Sequence, residues 1–176
     1  MIKYIYPIAV LVTIISCKQN QDTKLEEKKS SKKVESEIVI QEEQYIENDS
    51  ILDKMNSKLY EFVKNPKFKV EKETFKNRYV DDLIDTVKTY TFDNTSIVFY
   101  KTASEEWIYD AKIANSEFEL IALLKIGIER KLFEKIIQTK TNSNLVKIGN
   151  LEQTSVFVFK FKDDILQEII YEGYID

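Results

Sequence analysis

Histidine is absent from this 176-residue chain, and cysteine occurs once. These two shortages exclude several chemistries before folding is considered. Without histidine, neither a Ser-His-Asp nor a Cys-His catalytic arrangement can be assembled. A zinc site of the Cys/His kind goes with them. A single cysteine cannot close a disulfide within the chain. The groups left for catalysis are carboxylates, lysine, tyrosine, serine and threonine. Positive charge is not in excess either: the formal net charge is −4 and the isoelectric point about 5.2. A nucleic-acid binder would carry a concentrated basic face. The composition therefore points away from nucleic acid as a partner, implies no cofactor, and weighs against an enzyme.

A long apolar run is also missing. Met1-Ile2-Lys3-Tyr4 is a short, positively charged start, and the segment from Ile5 to Ile15 is almost wholly apolar. A helix crossing a membrane needs roughly 17–25 apolar residues; this run is shorter and contains Pro7. Charged start, apolar stretch and small residue follow the order of a secretory signal. Ile14-Ile15-Ser16-Cys17 resembles the lipobox of bacterial lipoproteins, with Ile14 where Leu is usual. That resemblance implies a signal peptide over residues 1–16, cleavage before Cys17, and acylation of Cys17. Each buried CH₂ adds about 0.8 kcal/mol, so two or more acyl chains anchor stably. The expected location is the cell membrane or outer membrane, lipid-anchored, with the domain in the periplasm or at the cell surface. Lys18 stands where a retention-type Asp would be, which favours the outer membrane.

After Cys17 the character changes. Residues 18–37 contain no aromatic side chain and few apolar ones. Such a segment buries too little surface to offset its ordering entropy. Residues 17–48 are expected to form a lipidated, flexible, charged tether with an r.m.s. span of roughly 30 Å. Lys28, Lys29, Lys32 and Lys33 could touch anionic head groups, but Glu26, Glu27, Glu35 and Glu37 dilute that attraction and favour a solvated spacer. Ile38-Val39-Ile40 is an apolar exception that either adds to the domain or meets a partner.

Residues 49–176 are expected to form a single α+β domain, a mostly antiparallel sheet with about two helices packed on one face. Ser50 can cap a first helix, with Asp53 completing a capping-box variant. Ile51, Leu52, Met55, Leu59, Phe62 and Val63 then recur on one helical face, and Asn65-Pro66 ends it. Val87–Phe92 and Ser96–Thr102 flank Asp93-Asn94-Thr95 as a hairpin. Tyr79-Val80 reads as part of an earlier strand. Trp107–Ala114 alternates, with Trp107, Tyr109, Ala111 and Ile113 sharing one side. The stretch Phe118–Ile128 fits either a strand or an early helix start. Gly127 permits a sharp turn before a helix over Glu129–Gln138. Three more strands close the chain: Val146–Gly149, Ser155–Lys162 and Leu166–Ile175, with Asp163-Asp164 as a turn. Lys125-Ile126-Gly127-Ile128-Glu129 followed by Leu132-Phe133 resembles the strand-Gly-helix element of small envelope lipoprotein domains. These are the domains of the outer-membrane barrel-assembly and β-lactamase-inhibitor-protein-like types. The resemblance extends to the hairpin Phe159 to Leu166 and implies a protein-binding module. Ile128 and Glu129 depart from the Met and Ser or Thr usual in that family. Several strands separate two helices that are adjacent there.

Among chemical candidates, Asp81, Asp82 and Asp85 are dense enough to suggest Ca²⁺. They lack the spacing of a calcium loop, which favours a solvated turn. No metal ligand set is assigned. Glu105-Glu106 reads as a solvated loop. Tyr100, Trp107, Tyr109, Tyr171 and Tyr174 lie on strands and form the candidate binding set, because exposed aromatics offer contact area at little entropic cost. The alternative for each is a cross-strand or core position. Three functions stay open: a non-enzymatic binding or assembly module with an envelope protein partner, held at the membrane through the lipid anchor; a carrier of a small apolar ligand; and a carboxylate-dependent hydrolase.

Overall fold

The structure, a computed structural model, describes residues 42–174. The signal peptide, Cys17, most of the tether and Ile38-Val39-Ile40 lie outside the described residues. In chain order the elements are β1 (Glu43–Glu47), α1 (Asp49–Phe62), β2 (Lys69–Lys76), β3 (Ile84–Phe92), β4 (Thr95–Lys101), β5 (Glu106–Ile113), α2 (Arg130–Ile137), β6 (Leu145–Gly149), β7 (Ser155–Lys162) and β8 (Ile165–Gly173). All eight strands join one sheet in the order β1-β6-β7-β8-β5-β4-β3-β2. β1 runs parallel to β6, and the other neighbours are antiparallel.

The α+β expectation, with two helices on one face of a mostly antiparallel sheet, is corrected by this architecture. The fold is mainly β, built on a mixed sheet, with helices of only 14 and 8 residues. The two unforeseen strands are the two edges. β1 has the sequence EQYIE, polar enough to pass for tether. β2, KVEKETFK, is exposed at every position, so it shows no period-2 burial pattern to read. Tyr79-Val80, assigned to a strand by sequence, lies in the connection between β2 and β3.

β1 is stitched in by side chains as well as by its ladder. Lys147 Nζ lies 2.7 Å from Glu43, and Gln44 Nε2 donates to Lys140 O at 3.0 Å. The Tyr45 hydroxyl donates to Asn150 O, and Ser143 Oγ donates to Glu42 O. Gly149, opposite Glu47, is close-packed: a Cβ there would lie 2.5 Å from the Tyr45 hydroxyl and 2.7 Å from Ser155 O.

α1 starts two residues earlier than Ser50 implies. The cap is Asn48, whose Oδ1 accepts from Ile51 N at 3.0 Å, satisfying a donor that the first turn leaves free. Leu52, Met55, Leu59 and Phe62 are buried at the spacing read from the sequence. α2 buries Phe133 and Ile137, and its C-cap Gln138 adopts a left-handed conformation. Phe133 packs 4.9 Å from Phe159 and 5.1 Å from Phe161, ring centre to ring centre. In β7 the alternate residues Val156 and Val158 are buried too, the two-sided burial expected of a strand inside a sheet. Phe118–Ile128 is neither strand nor helix. It turns irregularly, with positive φ at Ala122, Leu123 and Gly127.

The hairpin turns follow their sequences. Asp163 and Asp164 both have positive φ (51° and 60°), as a two-residue turn between twisted strands requires. In β5 the simple alternation fails. Pairing with β4 shifts between Val98 and Phe99, so Phe99 faces Ile108 while Val98 faces Asp110, leaving Tyr109 as the extra residue. This bulge changes which residues face inward: Ile108, Ala111 and Ile113 are buried, and Trp107 and Tyr109 are not.

Candidate binding cleft

Strand alternation puts Ile97 and Phe99 into the core, so Tyr100 points to the opposite face of the sheet. Trp107 pairs with Tyr100 across β4 and β5, and Asp85 lies opposite Phe75 across β2 and β3. Phe75, Tyr100 and Trp107 form one wall of a surface cleft of about 530 Å³, and Asp85 is buried behind it. The other wall is Lys76 at the end of β2 and the β2–β3 connection, with Asn77, Arg78 and Tyr79; Thr102, Glu105 and Tyr174 complete the rim. That volume lies within the usual range of ligand sites.

A small polar device shapes the cleft. Asn77 Oδ1 accepts from the backbone N–H of Tyr79 (2.8 Å) and of Val80 (2.9 Å), the side-chain-directed turn that Asn makes readily. Asn77 N donates to Leu83 O at 2.9 Å. Asn77 Nδ2 donates to Asp85 Oδ2 at 2.7 Å, and the Tyr100 hydroxyl donates to the same oxygen at 2.7 Å. Asp85 is only 1% exposed. Its second oxygen, Oδ1, is buried and has no hydrogen-bond partner. Buried polar atoms are nearly always paired, so an unpartnered carboxylate oxygen behind a cleft marks the position as special. The Asp85 hydrogen bond, with burial, pushes the Tyr100 phenol up to about 12. Tyr100 is therefore a fixed, neutral donor at every physiological pH.

The aromatic rings form a connected set. Tyr100 lies 5.2 Å from Trp107, 5.9 Å from Phe75 and 6.4 Å from Tyr109. Tyr79 is 78% exposed at the mouth. Among the described residues, the side chains of Lys76 and Arg78 have no ion pair or hydrogen bond. The β4–β5 turn is held by Thr102, whose Oγ1 accepts from Glu105 N at 3.1 Å and Ser104 N at 3.3 Å.

Of the five aromatics proposed from sequence, Tyr100, Trp107 and Tyr174 line the cleft, and Tyr109 touches it through the Tyr100 ring. Tyr171 belongs elsewhere. It is buried against Phe157 at 4.9 Å, its hydroxyl lies 3.0 Å from Ser155 Oγ, and burial pushes its phenol up. Sequence reasoning missed Phe75, Lys76, Arg78 and Tyr79. It also read Asp85 as part of a solvated turn, whereas only Asp81 and Asp82 are exposed. No group of three or more metal-ligating side chains occurs among the described residues. Glu106 is engaged by Lys88 at 2.7 Å, leaving Glu105 as the carboxylate on the cleft rim. In the core, where a small apolar ligand would have to sit, Met55, Leu59, Phe133, Phe157 and Phe159 are fully buried. No helix among the described residues is long and apolar enough to cross a membrane.

No protein-family model, curated protein or solved structure matches the chain.

Proposed function

We propose that this chain is a membrane-anchored binding module of the cell envelope, with the cleft beside the β2–β3 connection as its recognition surface. The anchoring half rests on the lipobox-like Ile14–Cys17 segment. The binding half rests on one observation: aromatic rings from β2, β4 and β5 converge with unpaired donors over a buried carboxylate whose spare oxygen has no partner. Rigid aromatic faces with a few oriented polar groups are the usual makings of a recognition site. Sheet order adds support. The chain enters the domain at β1, while the cleft borders β2 at the opposite edge, seven strand spacings away. Measured along the sheet that is about 33 Å. The cleft's lining runs from Tyr174, just past β8, to β2, so a ligand there would meet the part of the sheet away from β1.

Trp107 is the sole tryptophan of the chain, so its reactivity reports on the cleft alone. Oxidation of Trp107 by N-bromosuccinimide is expected to slow when the full-length protein is mixed with envelope material. Tyr79→Ala should lose that protection, and its exposure makes misfolding an unconvincing cause. Equal oxidation rates with and without envelope material would overturn the reading.

A further inference from the structure

We propose that the cleft takes an acidic saccharide, a sugar ring carrying a carboxylate or sulfate; this deepens the reading above and rests on it. The inference comes from which polar groups in the cleft remain free. Asn77 is used up: both backbone N–H groups of the following turn bind its Oδ1, and its amide nitrogen binds Asp85. The Thr102 hydroxyl is committed to its own turn. What remains at the surface for a ligand is donor-rich: the ammonium of Lys76, the guanidinium of Arg78 and the indole N–H of Trp107, against the carboxylate of Glu105 on the rim, while the Asp85 carboxylate lies buried behind Tyr100 and Asn77. Lys76 and Arg78 have no acidic partner, so both exposed cations are available to an anion, whereas Asp85 is screened from it by burial. The guanidinium presents a planar fork suited to carboxylate or sulfate oxygens. Beside these donors stand the rings of Tyr79, Tyr100 and Trp107, aromatic surface of the kind on which the flat C–H face of a sugar ring can pack.

An acidic peptide is the competing occupant, and the geometry disfavours it. Peptides commonly bind by extending a sheet edge with main-chain hydrogen bonds. The nearest edge, β2, carries Lys69, Glu71, Lys72, Glu73 and Lys76, the charged dressing that discourages strand addition. The backbone N–H groups of Tyr79 and Val80 are already taken by Asn77. The cleft therefore offers aromatic rings and side-chain donors, and the free ladder of the β2 edge beside it is dressed with charge.

The test titrates the full-length protein, in mild detergent, with a uronic-acid oligosaccharide, its sulfated counterpart, a neutral oligosaccharide of equal length and an acidic peptide, following Trp107 emission. A saturable change is expected with an acidic sugar, with affinity at least about tenfold above the neutral one. Lys76→Ala and Arg78→Ala should each weaken binding by about tenfold, and Lys76→Arg should retain it. Both positions are exposed, so loss of fold is not the expected cause of failure. Raising the salt should weaken the acidic sugar and leave a neutral one unchanged. Equal affinity for neutral and acidic sugars, or insensitivity to the paired substitution of Lys76 and Arg78, would overturn the proposal. Emission changes with the acidic peptide alone would overturn it while leaving the cleft as the recognition surface. If no sugar acts although envelope material still protects Trp107, the saccharide assignment falls by itself; if that protection is also missing, both readings fall.

Discussion

Arg130 does more than any other single side chain to join separate parts of the fold. Its Nε donates to Asp164 Oδ1 at 2.7 Å, its two terminal nitrogens reach Ser143 O (2.6 Å), Asn144 Oδ1 (2.8 Å) and Thr141 Oγ1 (3.3 Å), and its guanidinium sits 4.3 Å from the Phe161 ring centre. One residue thus ties the start of α2, the β7–β8 turn and the approach to β6. Lysine has neither the fork nor the planar face, so Arg130→Lys should cost about 2–3 kcal/mol in denaturant unfolding despite keeping the charge. Asp85 makes a different prediction. Replacing it with Asn removes the charged acceptor that holds the Tyr100 proton, so the Tyr100 midpoint should fall from about 12 toward 10.0, measured by NMR of ring-labelled tyrosine. The pH sign follows. The folded-state value is raised, so the protonated phenol contributes stability that is fully present below pH 10 and is lost as pH rises from 10 through about 12. Burial raises Tyr45, Tyr109 and Tyr171 in the same direction. The protein should therefore lose stability on the alkaline side, and Asp85→Asn should flatten that loss.

Among the elements, β1 depends on Gly149. A Cβ there meets the Tyr45 hydroxyl and the Ser155 carbonyl, both too close, so Gly149→Ala must displace both. The expected loss is about 1–3 kcal/mol, read from thermal unfolding. Legibility differed from element to element for physical reasons. The β7–β8 hairpin could be read because Asp163-Asp164 combines good turn formers with apolar strands on both sides. α1 could be read because Leu52, Met55, Leu59 and Phe62 repeat at the helical period. β1 and β2 could not, because an edge strand borrows its stability from one neighbour and need not bury a face of its own. The bulge at Tyr109 was invisible for another reason. Alternation of side chains carries no mark of an inserted residue, so Ile108 was assigned to the wrong side.

For the whole molecule, the cleft was legible only in part. Tyr100 and Trp107 drew notice as strand aromatics, but Lys76, Arg78 and Asp85 meet them only through the order β5-β4-β3-β2, which no local pattern encodes. The anchor belongs to this scale as well. Cys17→Ser removes the acyl acceptor, so the variant should leave the membrane pellet for the soluble fraction; retention in the pellet would argue against lipidation. One feature of the fold then takes on a mechanical meaning. If the chain is held at its amino-terminal side while a bulky ligand drags on the cleft, the covalent path between them runs through β1, α1 and β2 in turn. The five-residue parallel ladder between β1 and β6 is the first described structure on that path, so it would bear the load before the rest of the sheet does. The strand least visible in the sequence would then serve as the strain relief of the tether, and pulling from the amino terminus should rip it away first.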